Sequence, residues 1–361
     1  MLAGHQRIGS RTWAGLLGIG LIVGACSSTA ATPSPAASEA APSVAATEAA
    51  ASPSAEAKTL EIAYLSFAVA NSYDAPMLAA AQAAAASGNA KLTVFDANLD
   101  PAAQTKQLQD ATASGKFDAI LTQPLYGAGL VADVTNAIKA GIAVGNIDQI
   151  LGADNTTAKS QIPGLMANVA FVPSELGRKI GELVVTACTE KQANPCNVGY
   201  IWSVKAAALD ATLKQAFDTA TAGHPEIKVV AEGESFYTTA LGLKASQDML
   251  QAHPDLTVIV GADQAITGAA QAVGPDNKGK IALIGYGGGA IALQGIKSGE
   301  RYGTVMQMPA TEGRLGTEQL IQAIRTGTPA PGVDPLASLP DGGVVTKANV
   351  DTFLPLAEWP G

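Results

Sequence analysis

The chain is constrained most by its rhythm: from Lys58 onward, short β-branched runs alternate with Ala-rich stretches of helical period. The runs at 60–66, 91–95, 118–122 and 142–146 read as strands, and a second series follows at 196–202, 227–232, 256–260 and 281–285. Between them, 75–87, 102–114, 129–140, 175–187, 206–222, 239–251 and 264–273 read as helices. Strands alternating with helices at this spacing form parallel sheets covered on both faces. Nearly continuous apolar runs such as Leu256-Thr257-Val258-Ile259-Val260 suit strands buried on both sides. Asp100-Pro101 and Val172-Pro173-Ser174 supply a cap or a proline at helix starts, and Pro254 separates a helix from the next strand. The two series in tandem predict an α/β protein of two similar doubly wound parallel-sheet lobes. A single barrel of about eight strand–helix units is the alternative, but the helix-poor stretch 147–170 breaks its rhythm.

Ahead of Lys58 the chemistry changes. Arg7 and Arg11 precede a short apolar stretch, 13–25, which is too short to span a bilayer as a permanent helix. Val23-Gly24-Ala25-Cys26 then forms a small-residue cleavage site ending in cysteine. It resembles the lipobox of bacterial lipoproteins, which implies a signal peptide over 1–25 and lipidation of Cys26 as the new N-terminus. A plain secretory signal with an incidental Cys26 is the alternative. Residues 27–57 consist almost wholly of Ala, Ser, Pro, Thr and Glu. Such a segment cannot bury enough apolar surface to offset its ordering entropy, so 26–57 is expected to be a disordered tether.

Removing 1–25 takes away two basic residues and no acid, leaving 20 Lys and Arg against 31 Asp and Glu, a formal charge of −11. An acidic body without a basic run argues against nucleic acid and against adhesion to anionic lipid. Cys188 and Cys196 lie close together around 189–195. In an exported protein the plain reading is a disulfide closing a surface loop, with a metal site as the alternative. There is no second cysteine pair, and His224 and His253 each precede a proline ahead of a strand. Neither metal nor cofactor is expected.

An ordered set of segments carries a resemblance. It runs from Ile62-Ala63-Tyr64-Leu65-Ser66 to Asn71-Ser72-Tyr73, then through Phe117-Asp118-Ala119-Ile120-Leu121-Thr122-Gln123-Pro124 and Gly141-Ile142-Ala143-Val144 to Asp148. Ala252-His253-Pro254-Asp255, Gly261-Ala262-Asp263, Ile284-Gly285-Tyr286 and Gly303-Thr304-Val305-Met306-Gln307 complete it. In this order the segments resemble the ribose-binding-protein branch of the type I periplasmic binding proteins. The resemblance implies two lobes joined by a three-segment hinge, with crossings near 169–173, 307–309 and 342–345. One lobe then takes 58–170 with about 309–342, and the other 171–308 with about 343–361. It further implies a solute-binding protein of an ABC importer, anchored outside the cytoplasm by its lipid. Such a protein acts as a monomer and presents a sugar, a polyol or a related ligand to an ABC permease.

The same resemblance implies a ligand in the interlobe cleft, contacted by Asn71, Tyr73, Asp148, Tyr237 and Gln307; Trp202, Asp263 and Tyr286 are added as candidates near it. Aromatic faces would stack on a small ring while carboxylate and amide groups read hydroxyls. Each has a plainer reading: Asp148 as a loop cap, Tyr73 and Tyr237 as core aromatics, Asp263 as a helix N-cap, and Gln307 as a backbone partner at the hinge. Trp202 has an equally plain place at a strand end. The chain also departs from the family. Thr212-Leu213-Lys214 stands where ribose binders carry an arginine, Ala262-Asp263 where they carry asparagine before aspartate, and Tyr286-Gly287-Gly288 where they carry a late aspartate. Ribose is therefore not the expected ligand, and Trp202, Phe236 and Tyr286 favour a bulkier or less hydroxylated one.

Two other functions compete. Gly285-Tyr286-Gly287-Gly288-Gly289-Ala290 fits G-x-G-x-x-A after a strand, a pattern that can cradle a pyrophosphate, but the acid about twenty residues onward is missing. No nucleophile elbow, paired-carboxylate site or metal triad is evident, so the chain is not expected to be an enzyme. A sensor that presents its ligand-bound state to a membrane receptor would need the same fold and stays open as the alternative.

Overall fold

The computed structural model describes residues 58–361. The expected signal peptide, Cys26 and tether lie outside the described residues. The first lobe is built on a parallel sheet of β1 (Leu60–Ser66), β2 (Ala90–Asp96), β3 (Ala119–Thr122), β4 (Ala143–Asp148) and β5 (Ala167–Ala170), in the order β2-β1-β3-β4-β5. The second holds β6 (Cys196–Trp202), β7 (Ile227–Glu234), β8 (Val258–Val260), β9 (Ala282–Gly287), β10 (Gly303–Met306) and β11 (Val344–Thr346), in the order β11-β10-β9-β8-β6-β7. Among the described strands only β11 runs antiparallel to its neighbour. Every residue of β3, β5 and β6 is buried, as strands covered by helices on both faces require. Two separate sheets replace the barrel alternative.

The covering helices are α1 (Asp74–Ser87), α2 (Pro101–Ala113), α3 (Gly127–Lys139), α4 (Pro173–Glu190), α5 (Ala208–Thr221), α6 (Thr239–Ala252), α7 (Asp263–Val273), α8 (Ala290–Ser298), α9 (Pro309–Thr326) and the short α10 (Val350–Phe353). Local chemistry starts several of them. The Asp100 carboxylate accepts the amides of Ala102 and Ala103 with Pro101 in the first turn, and Thr238 caps α6 through the Leu241 amide. Cys188 and Cys196 form a disulfide that ties the last turn of α4 to the start of β6.

The chain passes between lobes at three places. Phe171 follows β5 and packs into the core of the second lobe. Gln307 and Met308 lead from β10 into α9, which packs on α1 and β4 of the first lobe. The third passage lies at 333–335: Val333 exchanges backbone bonds with Asn168 and Ala170, and Leu336 is already in the second core. It precedes the expected 342–345, where the chain instead forms β11 within the second sheet. The strands missing from the periodicity, β5, β10 and β11, are three or four residues long.

The α1–α9 contact depends on the absence of a side chain. Gly313 of α9 faces the Met77 carbonyl of α1, and a Cβ there would stand 2.1 Å from the Met77 oxygen. Gly313→Ala is therefore expected to force the helices apart and lower stability by about 1–3 kcal/mol, the usual range for overpacking. Urea unfolding of the purified variant measures this, and wild-type stability would show that α9 shifts without cost.

Candidate ligand-binding site

Between the carboxyl ends of the two sheets lies a cavity walled by both lobes. In the first lobe, Phe67 follows β1, Gln123 follows β3 and Asp148 ends β4; Asn71, Tyr73 and Asp74 lead into α1. In the second, Tyr237 follows β7, Ala262 and Gln264 flank the start of α7, and Tyr286 and Gly287 end β9. Gln307 enters from the second crossing and Trp359 from the last segment of the chain. Two aromatic pairs cross the cleft edge to face: Phe67 with Tyr237, centroids 6.1 Å apart, and Tyr73 with Trp359, 5.5 Å apart.

Polar groups set the wall of the first lobe. The Asn71 side-chain oxygen accepts the Tyr73 amide at 2.8 Å, an Asx turn that seats Tyr73 at the head of α1. Gln123 is the hub: its carbonyl oxygen accepts the Phe67 amide at 3.1 Å, and its NH2 donates to Asp148 at 3.0 Å and to Asp74. The Tyr73 hydroxyl lies 3.4 Å from both Asp148 Oδ1 and Glu312 Oε2. In the second lobe, Tyr286 Oη and Ser203 Oγ are 2.6 Å apart, and the Ser203 amide donates to Asp210 at 2.7 Å. Phe236 and Tyr237 both have positive φ, 48° and 53°. Two successive aromatic residues in that region are strained, and such strain gathers at ligand clamps.

Six of the eight expected residues line this cavity: Asn71, Tyr73, Asp148, Tyr237, Tyr286 and Gln307. Trp202 does not. Its ring lies against Tyr200, its indole N–H donates to Glu232 at 3.1 Å, and Lys205 sits over it. Tyr200 and Trp202 alternate onto the same face of β6, and that face packs against α5 through Phe217. Asp263 is neither a lining residue nor an N-cap, since α7 is preceded by Ala262 and Asp263 is its first residue. Its carboxylate instead accepts the Gly288 and Gly289 amides at 2.6 and 3.3 Å and the Thr304 hydroxyl at 3.1 Å, with Arg301 at 3.5 Å. The amides that a pyrophosphate would need are thus already taken. Gly287, at φ 132°, lies under the Trp359 ring, 2.5 Å from where a Cβ would stand. Asp74, Gln123 and Trp359 also line the cavity, with little in the sequence to mark them. Asp74 reads as an ordinary first-turn acid, and Gln123 was visible only as part of the Thr122-Gln123-Pro124 strand end.

Burial shifts the cleft carboxylates upward. Asp148 is pushed up to about 6, against the pull of its bonds from Gln123 and Tyr73. Asp210 rises to about 7, chiefly by burial. Asp74 and Glu312 also rise by burial, and each is raised further by the Asp148 charge. The unfolded chain releases these protons near pH 4, while the folded cleft retains them to higher pH. Folding takes up protons across that window, so stability is present at the acid end and falls as pH rises from about 4 to about 7. The urea midpoint of the ligand-free protein is expected to decline between about pH 4 and pH 7, and Asp148→Asn to flatten that decline. A midpoint constant over this range would show the carboxylates to be hydrated.

Comparison with known proteins matches this geometry. A family model described as a periplasmic binding protein domain matches residues 62–329. The ribose import binding protein RbsB of Bacillus subtilis is 26% identical over 229 residues, covering 63% of this chain and 70% of that protein. The D-allose-binding periplasmic protein of Escherichia coli is 27% identical over 237 residues, covering 62% and 71%. A crystal structure of an ABC transporter solute-binding protein from Mycobacterium smegmatis with bound glycerol superposes with a TM-score of 0.70 at 24% identity, covering 84% of this chain and 100% of that one. A match running from the first strand past α9, on a fold shared with that structure, places the chain in the periplasmic binding protein domain family.

Proposed function

We propose that this protein is the extracytoplasmic solute-binding component of an ABC importer, holding a sugar or sugar-like ligand between its lobes. The observation that carries the reading is a cavity lined by residues of both lobes and bridged by two edge-to-face aromatic contacts across the cleft. The relatives named for import of ribose and binding of allose support the substrate class. Ribose itself fits poorly, since aromatic side chains (Phe67, Tyr73, Phe171, Tyr237, Tyr286 and Trp359) supply much of the wall and none of the lining residues is an arginine. A ligand that touches both lobes binds the closed form more tightly and shifts the open–closed equilibrium by that difference. The lipobox-like Val23-Gly24-Ala25-Cys26 supports a lipid anchor on Cys26 with a tether over 26–57, and the family supports a monomer that presents its ligand to a permease.

A thermal-shift screen of 58–361 against sugars, polyols and nucleosides, followed by solution scattering, tests the closure. A ligand that raises the melting temperature is expected also to reduce the radius of gyration. Binding with unchanged scattering would reject hinge closure. For the anchor, Cys26→Ala in the full-length precursor is expected to abolish incorporation of labelled fatty acid and to release the protein from the membrane fraction. Labelling that persists would remove Cys26 as the lipid site.

A further inference from the structure

We propose that the ligand of this cleft is a hydroxylated organic cation, an amino- or imino-substituted sugar or polyol, in place of a neutral one. The inference rests on the cleft being the solute site. Among the described residues, the buried carboxylates are Asp74, Asp148, Asp210, Asp263 and Glu312, and the one buried cation is Arg301. Arg301 is paired with Asp263, away from the cavity. The other four carboxylates surround the cavity from both lobes. Asp74 and Asp148 line it, Glu312 stands behind Tyr73, and Asp210 stands behind Ser203 and Tyr286. None of the four has a Lys, Arg or His within 4.0 Å among the described residues, and no basic residue lines the cavity.

This arrangement leaves acceptors waiting. Glu312 Oε1 and Asp210 Oδ2 are buried without a hydrogen-bond partner, and Asp148 and Glu312 share a single Tyr73 hydroxyl. Buried carboxylates normally find an opposite charge, because an unpaired ion loses its hydration with nothing in return. A protonated amine entering between them would supply that charge. The aromatic walls act in the same direction, since Phe67, Tyr73, Phe171, Tyr237, Tyr286 and Trp359 surround the space with π-systems whose faces attract cations. The carboxylates do not converge as metal ligands do: among the described residues no group of three or more His, Cys, Asp or Glu side chains could hold a metal ion. Hydroxyl groups on the ligand have their own partners. Gln264 and Gln307 line the cavity, are 5% and 7% exposed, and make no side-chain hydrogen bond to the protein among the described residues.

The test is titration calorimetry on the wild-type 58–361 chain with matched pairs at neutral pH. Hexoses, pentoses and polyols are each set against the counterpart in which one hydroxyl or the ring oxygen is replaced by an amine or imine. In any pair that binds, the cationic member is expected to bind at least tenfold more tightly, and Asp148→Asn or Glu312→Gln to shrink that preference severalfold. A neutral member that binds as tightly as its amine would overturn the inference and leave the sugar-binding reading standing. Binding by no member of either set would reject both. A preference that is the same in wild type and in both variants would remove these carboxylates as its source.

Discussion

Parallel pairing is the constraint from which the site follows. When strands run the same way, all their carboxyl ends emerge along one edge of the sheet, and the connections that carry polar side chains gather there. Both lobes obey it, so Phe67, Gln123 and Asp148 on one side confront Tyr237, Ala262 and Tyr286 on the other. The three crossings set these two edges face to face and so bring together residues more than two hundred positions apart. Gln123 then converts proximity into order, since one carboxamide binds the backbone after β1, the head of α1 and the end of β4 at once.

Much of this was legible in the chain and some was not, for identifiable reasons. Seven-residue strands such as β1 and β6 and capped helices such as α2 and α6 carry their signals locally, in apolar runs and in caps, and their positions agree closely with the structure. The lining residues that could be named in advance sit beside strand ends whose order is distinctive. Side-chain direction is decided by a finer alternation: Trp202 stands at a strand end like the others, yet its parity on β6 turns it toward Tyr200 and away from the cleft. Asp263 was drawn elsewhere by Arg301 and Thr304, which follow it by about forty positions and have no local signature. Trp359 belongs to the site only through tertiary contact with Gly287 and Tyr73, and no periodicity announces that.

The two treatments of buried charge in one chain are instructive. Where a carboxylate has a fixed structural task, as Asp263 does in holding the 287–289 turn, amides, a hydroxyl and a guanidinium surround it. Where carboxylates border the cleft, their partners are tyrosine hydroxyls and a carboxamide, which bring no opposite charge, so burial strengthens the hold of these carboxylates on their protons. A site built this way is less stable empty than it could be, and the deficit is available to a solute of the right sign.

The terminal segment adds a link between lobes that the three crossings already join. Glu358 accepts from the amide and hydroxyl of Thr311, just past the second crossing, while the Trp359 indole donates to Gly287 and its carbonyl accepts the Ala290 amide. Adjacent residues thus grip the two lobes separately, one beside the hinge and one in the cavity wall. They work as a fastener across a joint: an extension, label or proteolytic nick at these positions alters the resting angle of the lobes as well as the shape of the cavity. Affinity and domain motion can then be disturbed together from a place that contributes nothing to either sheet.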